Sequence, residues 1–204
     1  MVGSALRPRL KALGFQRKGR NFCRRGPEVV AYAGVQSSQW NSGAAGSFTV
    51  NLGVYFPAIV PLLHGEEPVD FPADYHCEMP LRIRLPQLAF GQDRWWEIDA
   101  ADAIARARAG ASLGEAWDEH AMAWLTERSD PRCARDACLS HPIHAMVASA
   151  LSVVLGEREE ARRHLATALS ARDADRTTDA DYLRRTFPAY ASDEARLQDR
   201  KSVV

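Results

Sequence analysis

Three groups of residues in this 204-residue chain have types and spacings that could do chemistry. The first is the basic run at residues 17–25, in which Arg20 and Arg24 flank Phe22. On a strand the two guanidinium groups would share a face with the ring between them. That arrangement can bind phosphate or stack on a nucleic-acid base. The run is therefore a candidate anion site.

The charge of the chain is unevenly distributed, although its net value is zero. The residues before Glu28 include six Arg, two Lys and no acid, which gives +8, and the remaining 18 basic and 26 acidic side chains give −8. This asymmetry is typical of a protein that binds an anionic partner, or of one whose basic and acidic elements pack together within the chain. Both interpretations stay open. A pI near 7 and glycine spacings that fit neither a dinucleotide fold nor a P-loop disfavour nucleic acid.

The second group is a polar face on a predicted sheet. Residues 47–56 alternate clearly, with apolar side chains at the even positions and mostly polar or small ones at the odd positions. If the strands are neighbours, amides, hydroxyls and guanidinium groups gather on one side, where they can recognise a carboxylate, a phosphate or a peptide edge. The alternative is an ordinary solvent-facing side of an antiparallel sheet. The candidate ligand-binding residues from these two groups are Arg20, Arg24, Gln36, Trp40, Asn51, Tyr55, Arg82 and Arg84.

The third group carries metal-ligand types. Cys133, Cys138, His141 and His144 follow a C-x4-C-x2-H-x2-H pattern, which matches no common zinc motif. Incidental Cys and His residues at a helix start are the favoured interpretation, so these four are weak metal candidates and no cofactor is predicted. Asp74, His76 and Glu78 would alternate on one strand face, but positions i and i+4 there are about 13 Å apart.

Nucleophilic catalysis has little support in the sequence. There is no G-x-S-x-G elbow, and the neighbours His76 and Cys77 would point to opposite faces of a strand. No catalytic residue is predicted. The four cysteines fall in different predicted elements and are expected to be free thiols.

The elements that must position these residues indicate an α+β fold. Leu6, Leu10 and Leu13 predict an N-terminal helix, and strands are predicted at 20–25, 29–38 and 47–56. A further alternating strand covers 74–85, or begins near residue 81 because Pro80 cannot donate to a ladder. Helices follow at 100–109, where Asp99 is the cap and Gly110 the end, and at about 113–125, 143–155, 157–171 and 182–187.

We therefore predict an N-terminal helix, a mostly antiparallel sheet of four to five strands, and C-terminal helices packed on one sheet face. The predicted organisation is a sheet domain at 1–98 and a helical extension at 99–204, which together form one structural unit. No signal peptide and no long apolar run is present, so a cytoplasmic protein with no membrane partner is expected. The excess of Arg over Lys suggests a bacterial genome.

The N-terminal half also resembles a bacterial family known only as domain of unknown function number 4304. The resemblance covers about residues 5–100, and its most specific segments are "QSSQWN" and "GSFTVNLGVYF". Further matching positions are Leu13-Gly14-Phe15, Arg17-Lys18-Gly19-Arg20, Phe22, Arg82 and Trp95-Trp96. The resemblance implies the fold class and a bacterial cytoplasmic origin, but no activity.

Three functions remain as hypotheses. The leading one is a non-enzymatic binding module that uses the polar sheet face and the loop at 36–47, with an unknown protein or a small anionic ligand as its partner. The second is a small-molecule or metal-assisted enzyme of unknown class. The third is a nucleic-acid-binding protein.

Overall fold

The computed structural model describes residues 2–42 and 45–173, with side chains for residues 5–42 and 45–171. The helix predicted at 182–187 lies outside the described residues. Strands are β1 (Gln16–Lys18), β2 (Asn21–Arg25), β3 (Val30–Ser37), β4 (Ala45–Tyr55), β5 (Arg82–Arg84) and β6 (Trp96–Asp99). Helices are α1 (Val2–Ala12), α2 (Val60–His64), α3 (Leu85–Phe90), α4 (Ala103–Ala116), α5 (Met122–Ser129), α6 (Pro131–Cys138), α7 (Ala145–Val154) and α8 (Arg158–Asp173).

Short helical turns of other types complete the chain order. Four 3₁₀ turns lie at Pro57–Ile59, Asp74–His76, Met79–Leu81 and Pro142–His144, and a π-helical turn at Trp117–Ala121 joins α4 to α5. None of the helices in residues 2–42 and 45–173 combines the length and the apolar character that crossing a membrane requires. The predicted α+β class is confirmed.

The sheet is antiparallel throughout, with the order β1-β2-β3-β4-β5, and β6 also pairs with β4. β5 pairs with Asn51–Gly53 of β4, and β6 pairs with Ala45–Phe48 of the same strand. β4 is therefore the strand that joins all the other parts of the sheet.

The hydrophobic core lies on the face of β4 that carries its even-numbered residues, which we call the even face. Phe48, Val50, Leu52 and Val54 are buried there, as the alternation predicts. Helices α3 and α5 contact β4, and α1 contacts α4. The buried side chains that these helical elements supply include Leu6, Leu10, Leu85, Leu113, Trp117 and Leu125. Burial of side chains of this size stabilises the fold by about 1.5–3 kcal/mol each.

The described residues divide into two compact units. One is Met1–Pro57 with Val69–Ala134, and the other is Ala58–Pro68 with Arg135–Val204. The first unit holds the whole sheet. In the second, α7 and α8 form a helical hairpin that turns at Gly156, whose φ of 74° favours glycine. The Ser149 hydroxyl donates to the Ala161 carbonyl (2.8 Å) and fastens the two helices together.

Two predictions about elements were wrong. The strand predicted over 74–85 is limited to Arg82–Arg84, and 3₁₀ turns precede it, because Pro80 has no N–H for a ladder. Tyr75 and Met79, which a strand over 74–85 would have placed on its apolar, core-facing side, are exposed. The alternative start near residue 81 is confirmed.

The first helix after the sheet also differs from the prediction. It begins after Asp102, whose carboxylate accepts from the N–H groups of Ile104 and Ala105, and not after Asp99. It continues through Gly110 to Ala116. A helix interior tolerates glycine at a cost of about 1 kcal/mol, so a single glycine is an unreliable stop signal.

Thr49 generates a stability prediction. Its side chain is 0% exposed, and its hydroxyl has no hydrogen-bond partner among the described residues. Because an unsatisfied buried hydroxyl is unfavourable, Thr49→Val should leave the free energy of unfolding unchanged or raise it by about 1 kcal/mol. Chemical denaturation measures this.

Ser149→Ala is the matched control, because Ser149 is equally buried but its hydroxyl is bonded. This variant should lower the free energy of unfolding by about 1 kcal/mol. A clear loss of stability in Thr49→Val would show that the Thr49 hydroxyl has a partner.

Candidate functional site

The opposite face of β4 carries its odd-numbered residues, and we call it the odd face. It is covered at one end and open at the other. Directly opposed residues share a sheet face, so Tyr32 of β3 lies on this face beside Gly53 of β4. A Cβ on Gly34 would lie 1.8 Å from the Tyr32 hydroxyl oxygen, and one on Gly53 would lie 2.6 Å from the Cys77 sulfur. These two glycines allow Tyr32 and Cys77 to lie flat on the sheet. The polar face therefore begins only beyond them.

A shallow pocket of about 340 Å³ occupies the open part of this face. We call it the arginine pocket. Its lining residues are Gln36, Asn51, Asp74, Met79, Arg82, Ile83, Arg84, Gln87 and Asp93. The β4–β5 register places Arg84 directly opposite Asn51. Four of the eight predicted ligand-binding residues thus meet here: Gln36, Asn51, Arg82 and Arg84.

Two amides form the floor of the arginine pocket. The Asn51 Nδ2 group donates to Gln36 Oε1 at 3.0 Å, across neighbouring strands. This bond orients both side chains. It leaves the Asn51 Oδ1 acceptor and the Gln36 Nε2 donor outside the amide pair. Among the described residues, neither of these two atoms has a protein hydrogen-bond partner. Asn51 is only 8% exposed, so its orientation is well defined by its surroundings.

Two ion pairs hold the guanidinium groups at the rim. Arg82 Nη1 lies 3.4 Å from an Asp74 carboxylate oxygen and also donates to the Asp74 carbonyl, while Arg82 Nε donates to the Met79 sulfur. Arg84 Nη1 pairs with Asp93, and its guanidinium lies over the Trp95 ring, 5.4 Å from the centroid. The pocket therefore presents donors and acceptors in comparable number rather than an excess of positive charge.

A second pocket of about 410 Å³ lies beside the β3–β4 hairpin. We call it the tryptophan pocket. Its lining residues are Ser38, Trp40, Asn41, Ser42, Ala45, Gly46, Ser47, Glu97, Ile98, Asp99 and Ala105. Trp40 is 83% exposed, the highest value among the large apolar side chains that are exposed in the described part of the chain. Trp40 was predicted together with the residues of the basic run and the polar face, but it lines this separate pocket.

Arg20 and Arg24 lie on the opposite side of the sheet from the arginine pocket. Arg24 opposes Ala31, which in turn opposes core-facing Val54, and its guanidinium lies 5.3 Å from the centroid of the Phe15 ring. Arg20 donates to the hydroxyl of Ser37 at 2.8 Å. The predicted candidates therefore do not converge in one cleft.

Among the described residues, only two of the eight N-terminal cationic groups form an ion pair. Arg9 pairs with Asp118 and Arg25 with Asp70. Within the described part of the chain, no carboxylate lies within 4 Å of the other six cationic groups: Arg7, Lys11, Arg17, Lys18, Arg20 and Arg24. Internal pairing with acidic elements thus accounts for two of the eight cations.

Tyr55 has a structural partner. Its side chain is buried, and its hydroxyl accepts from the Val69 N–H at 2.9 Å. Burial raises the pKa of this phenol above its usual value. Tyr55 therefore anchors the segment that covers one end of the odd face and does not line the arginine pocket.

The predicted metal ligands do not form a site in the described residues. No group of three or more His, Cys, Asp or Glu side chains is arranged there to hold a metal ion. His141 and His144 lie with ring centroids 6.0 Å apart. His76, the other metal candidate, uses Nδ1 to accept from the Ala73 N–H, and its ring packs against Tyr75.

None of the four cysteines, all in the described residues, is in a disulfide. Burial raises the pKa of the Cys23 thiol to about 12 and also raises that of Cys77. Both remain protonated near neutral pH, so neither is a thiolate nucleophile.

Several residues at these pockets were not predicted from the sequence. Asp93 and Trp95 follow the turn at Gly91, where a φ of 70° ends α3 and reverses the chain. Glu97 and Asp99 lie on β6, a four-residue strand that was not predicted. A turn glycine followed by two aromatic residues was the available signal for a strand at this position.

The model of the family described as "Domain of unknown function (DUF4304)" matches residues 6–127, which is more than half of the chain. The chain belongs to the DUF4304 family. This confirms the resemblance carried by the N-terminal half. The DUF4304 match includes both pockets. No curated protein and no solved structure matches the chain significantly.

The burial of the thiols predicts their reactivity. At about pH 8 roughly one in ten thousand Cys23 thiols is ionised if its pKa is about 12. Exposed Cys133 should react promptly with a disulfide reagent, whereas buried Cys23, Cys77 and Cys138 should react only after unfolding. Because the buried thiols react only from an unfolded form, their rates should rise about tenfold per pH unit below the ordinary thiol pKa of about 8.5 and level off above it.

Thiol titration of the folded and the unfolded chain measures this difference. Cys133→Ser should remove the fast phase and leave the slow one. A fast phase that survives in this variant would contradict the burial of the other three thiols.

Proposed function

We propose that this DUF4304 protein is a bacterial, cytoplasmic and non-enzymatic binding module, and that its ligand occupies the arginine pocket. The observation that carries the proposal is the oriented Gln36–Asn51 amide pair beside two fixed guanidinium groups. Ligand sites characteristically contain a few convergent polar groups of this kind. The arginine-rich composition supports a bacterial source.

The ion pairs at the rim contribute more to the orientation of the guanidinium groups than to the stability of the fold. The four paired side chains, Arg82, Asp74, Arg84 and Asp93, are between 29% and 48% exposed. Pairs exposed to this degree contribute about 0–1 kcal/mol to stability because water screens them. Their main physical effect is to hold the guanidinium groups in one orientation, which lowers the entropy cost of binding.

The balance of donors and acceptors indicates the class of ligand. Arg84 has N–H groups beyond the one bonded to Asp93, and Gln36 supplies a free amide donor. Asn51 Oδ1 supplies an acceptor of low exposure. These groups suit a polar ligand that carries a carboxylate and a donor together, such as a peptide segment or an amino-acid-like small molecule.

Thermal shift with a set of carboxylates, amides, amino acids and phosphates tests this proposal. Ligand binding raises the melting temperature of the wild type, since a ligand that binds only the folded state stabilises it. At least one amino-acid or carboxylate ligand should raise it. Arg84→Leu and Asn51→Leu should abolish that rise, because each removes a hydrogen-bonding group of the pocket.

Arg108→Leu is the matched control, because Arg108 is an exposed arginine that does not line the pocket. It should keep the response of the wild type. A response that is equal in all variants, or absent with every compound of the set, would contradict the proposal.

The unpaired basic groups favour a second candidate function at a different surface. Arg17 and Arg24 lie over the rings of Phe22 and Phe15, and neither is within 4 Å of a described carboxylate. Rings that support guanidinium groups leave their N–H edges available to an anion. An anionic partner on this face would account for the N-terminal charge.

Retention on an immobilised polyanion tests the second candidate. The wild type should elute at higher salt than Arg17→Gln/Arg24→Gln, because each phosphate or sulfate contact adds to the salt dependence. Arg106→Gln/Arg108→Gln removes two cations of α4 and should elute nearer to the wild type. Identical elution of both double variants would rule out a localised anion surface.

A further inference from the structure

We infer that the tryptophan pocket binds the cationic side chain of an arginine or lysine residue from a partner protein. The inference does not rest on the arginine pocket, since no residue lines both. Two observations carry it: an exposed indole on a hydrogen-bonded backbone segment, and carboxylates that have no cationic partner among the described residues.

Hydrogen bonds hold the described backbone on both sides of Trp40. The Asn41 amide donates to the Ser47 carbonyl at 3.0 Å and accepts from the Ser47 N–H at 2.7 Å, so it closes the hairpin like an additional backbone pair. The Ser38 hydroxyl accepts from the Trp40 N–H at 3.2 Å. The position of Trp40 is therefore fixed by hydrogen bonds, although its side chain is 83% exposed.

A fixed aromatic side chain at the surface is a preferred anchor of protein interfaces. An indole buries a large area on binding and loses little conformational entropy when its loop is already ordered. The Trp40 side chain is 83% exposed and so contributes almost no buried area to the core. Its presence in a concave pocket points to a partner that covers it.

The charge of the pocket selects the partner. Glu97 opposes Ser47 and Asp99 opposes Ala45, so the two side chains leave the same strand face from Cα atoms about 7 Å apart. Both residues are exposed, and neither forms an ion pair within the described part of the chain. Asp99 uses one carboxylate oxygen to accept from the Ala101 N–H.

The nearby helix does not cancel this negative charge. Asp102 caps α4 and adds a third carboxylate beside the pocket. Arg106 is the neighbouring cation, and its guanidinium donates to the backbone carbonyls of Asp99 and Ala100 rather than to a carboxylate. Three carboxylates against one guanidinium leave an excess of negative charge around the indole.

An aromatic face beside carboxylates is the arrangement that recognises a guanidinium or an ammonium group. The ring attracts the cation through its quadrupole, and the carboxylates accept its N–H groups. The serine hydroxyls and the Asn41 side chain at the pocket wall complete a polar surround. A positively charged side chain of a partner therefore fits this pocket, whereas an acidic or apolar one does not.

Indole ¹⁵N NMR of the full chain tests the inference directly. Each of the five tryptophans gives one indole N–H signal, and Trp40→Phe identifies that of Trp40. The probe is the peptide acetyl-Gly-Arg-Gly-amide, and acetyl-Gly-Gln-Gly-amide is its uncharged counterpart. The arginine peptide should shift the Trp40 signal saturably, and the glutamine peptide should shift it at least about tenfold less at equal concentration.

Glu97→Gln/Asp99→Asn should weaken binding of the arginine peptide about tenfold, because it removes both charges and keeps the shapes. Glu66→Gln/Glu67→Gln is the matched control, since it removes two exposed carboxylates that do not line the pocket, and it should bind like the wild type. The remaining indole signals report whether each variant is folded.

Two results would overturn the inference. One is an equal effect, or no effect, of the arginine and glutamine peptides on the Trp40 signal. The other is an unchanged affinity of folded Glu97→Gln/Asp99→Asn for the arginine peptide. Failure of the ligand set at the arginine pocket would leave this result unaffected, so the two proposals are tested separately.

Discussion

The position of strand β4, which is paired along both edges and packed against helices on one face, is the constraint on which the rest of this structure depends. Its even positions carry the apolar row that the helices cover, and its edges pair with β3, β5 and β6. A shift of one residue in any of these ladders would move core side chains to the polar face, so the register is strongly determined. That register is also what brings Gln36, Asn51 and Arg84 to one place.

Packing divides the odd face of β4 into a covered end and an open end. Gly34 and Gly53 lack the side chains that would hold Tyr32 and Cys77 away from the sheet, so the turns before β5 cover this end. The other end keeps its amides and guanidinium groups at the arginine pocket. Thr49 lies between the residues of the two pockets along β4, and its buried hydroxyl has no described partner. The same strand thus serves the core with its even positions and contributes residues to two separate pockets.

The fold class, the N-terminal helix, strands β2 to β4 and the α7–α8 hairpin could be predicted from periodicity, because each buries a continuous apolar row. Residues 74–81 misled the prediction, since their alternation mimics a strand while Pro80 and the 3₁₀ turns decide the backbone. Strand alternation predicts that Gln36, Asn51, Arg82 and Arg84 share a face. The position of Arg24 on the other face depends on the β2–β3 register, which alternation within single strands does not reveal. Asp93 and Asp74 are joined to the arginines by tertiary contacts, which no local pattern encodes.

The central claim is that the apolar even face of β4, rather than the ion pairs beside its odd face, holds the fold together. The free energy of unfolding of Arg84→Gln/Asp93→Asn, compared with that of Leu52→Ala, tests this claim most directly. The account predicts a change within about 1 kcal/mol for the exposed pair and a loss of about 2–5 kcal/mol for the buried leucine. A loss of similar size in both variants would contradict it, because the odd-face ion pair would then be part of what stabilises the fold.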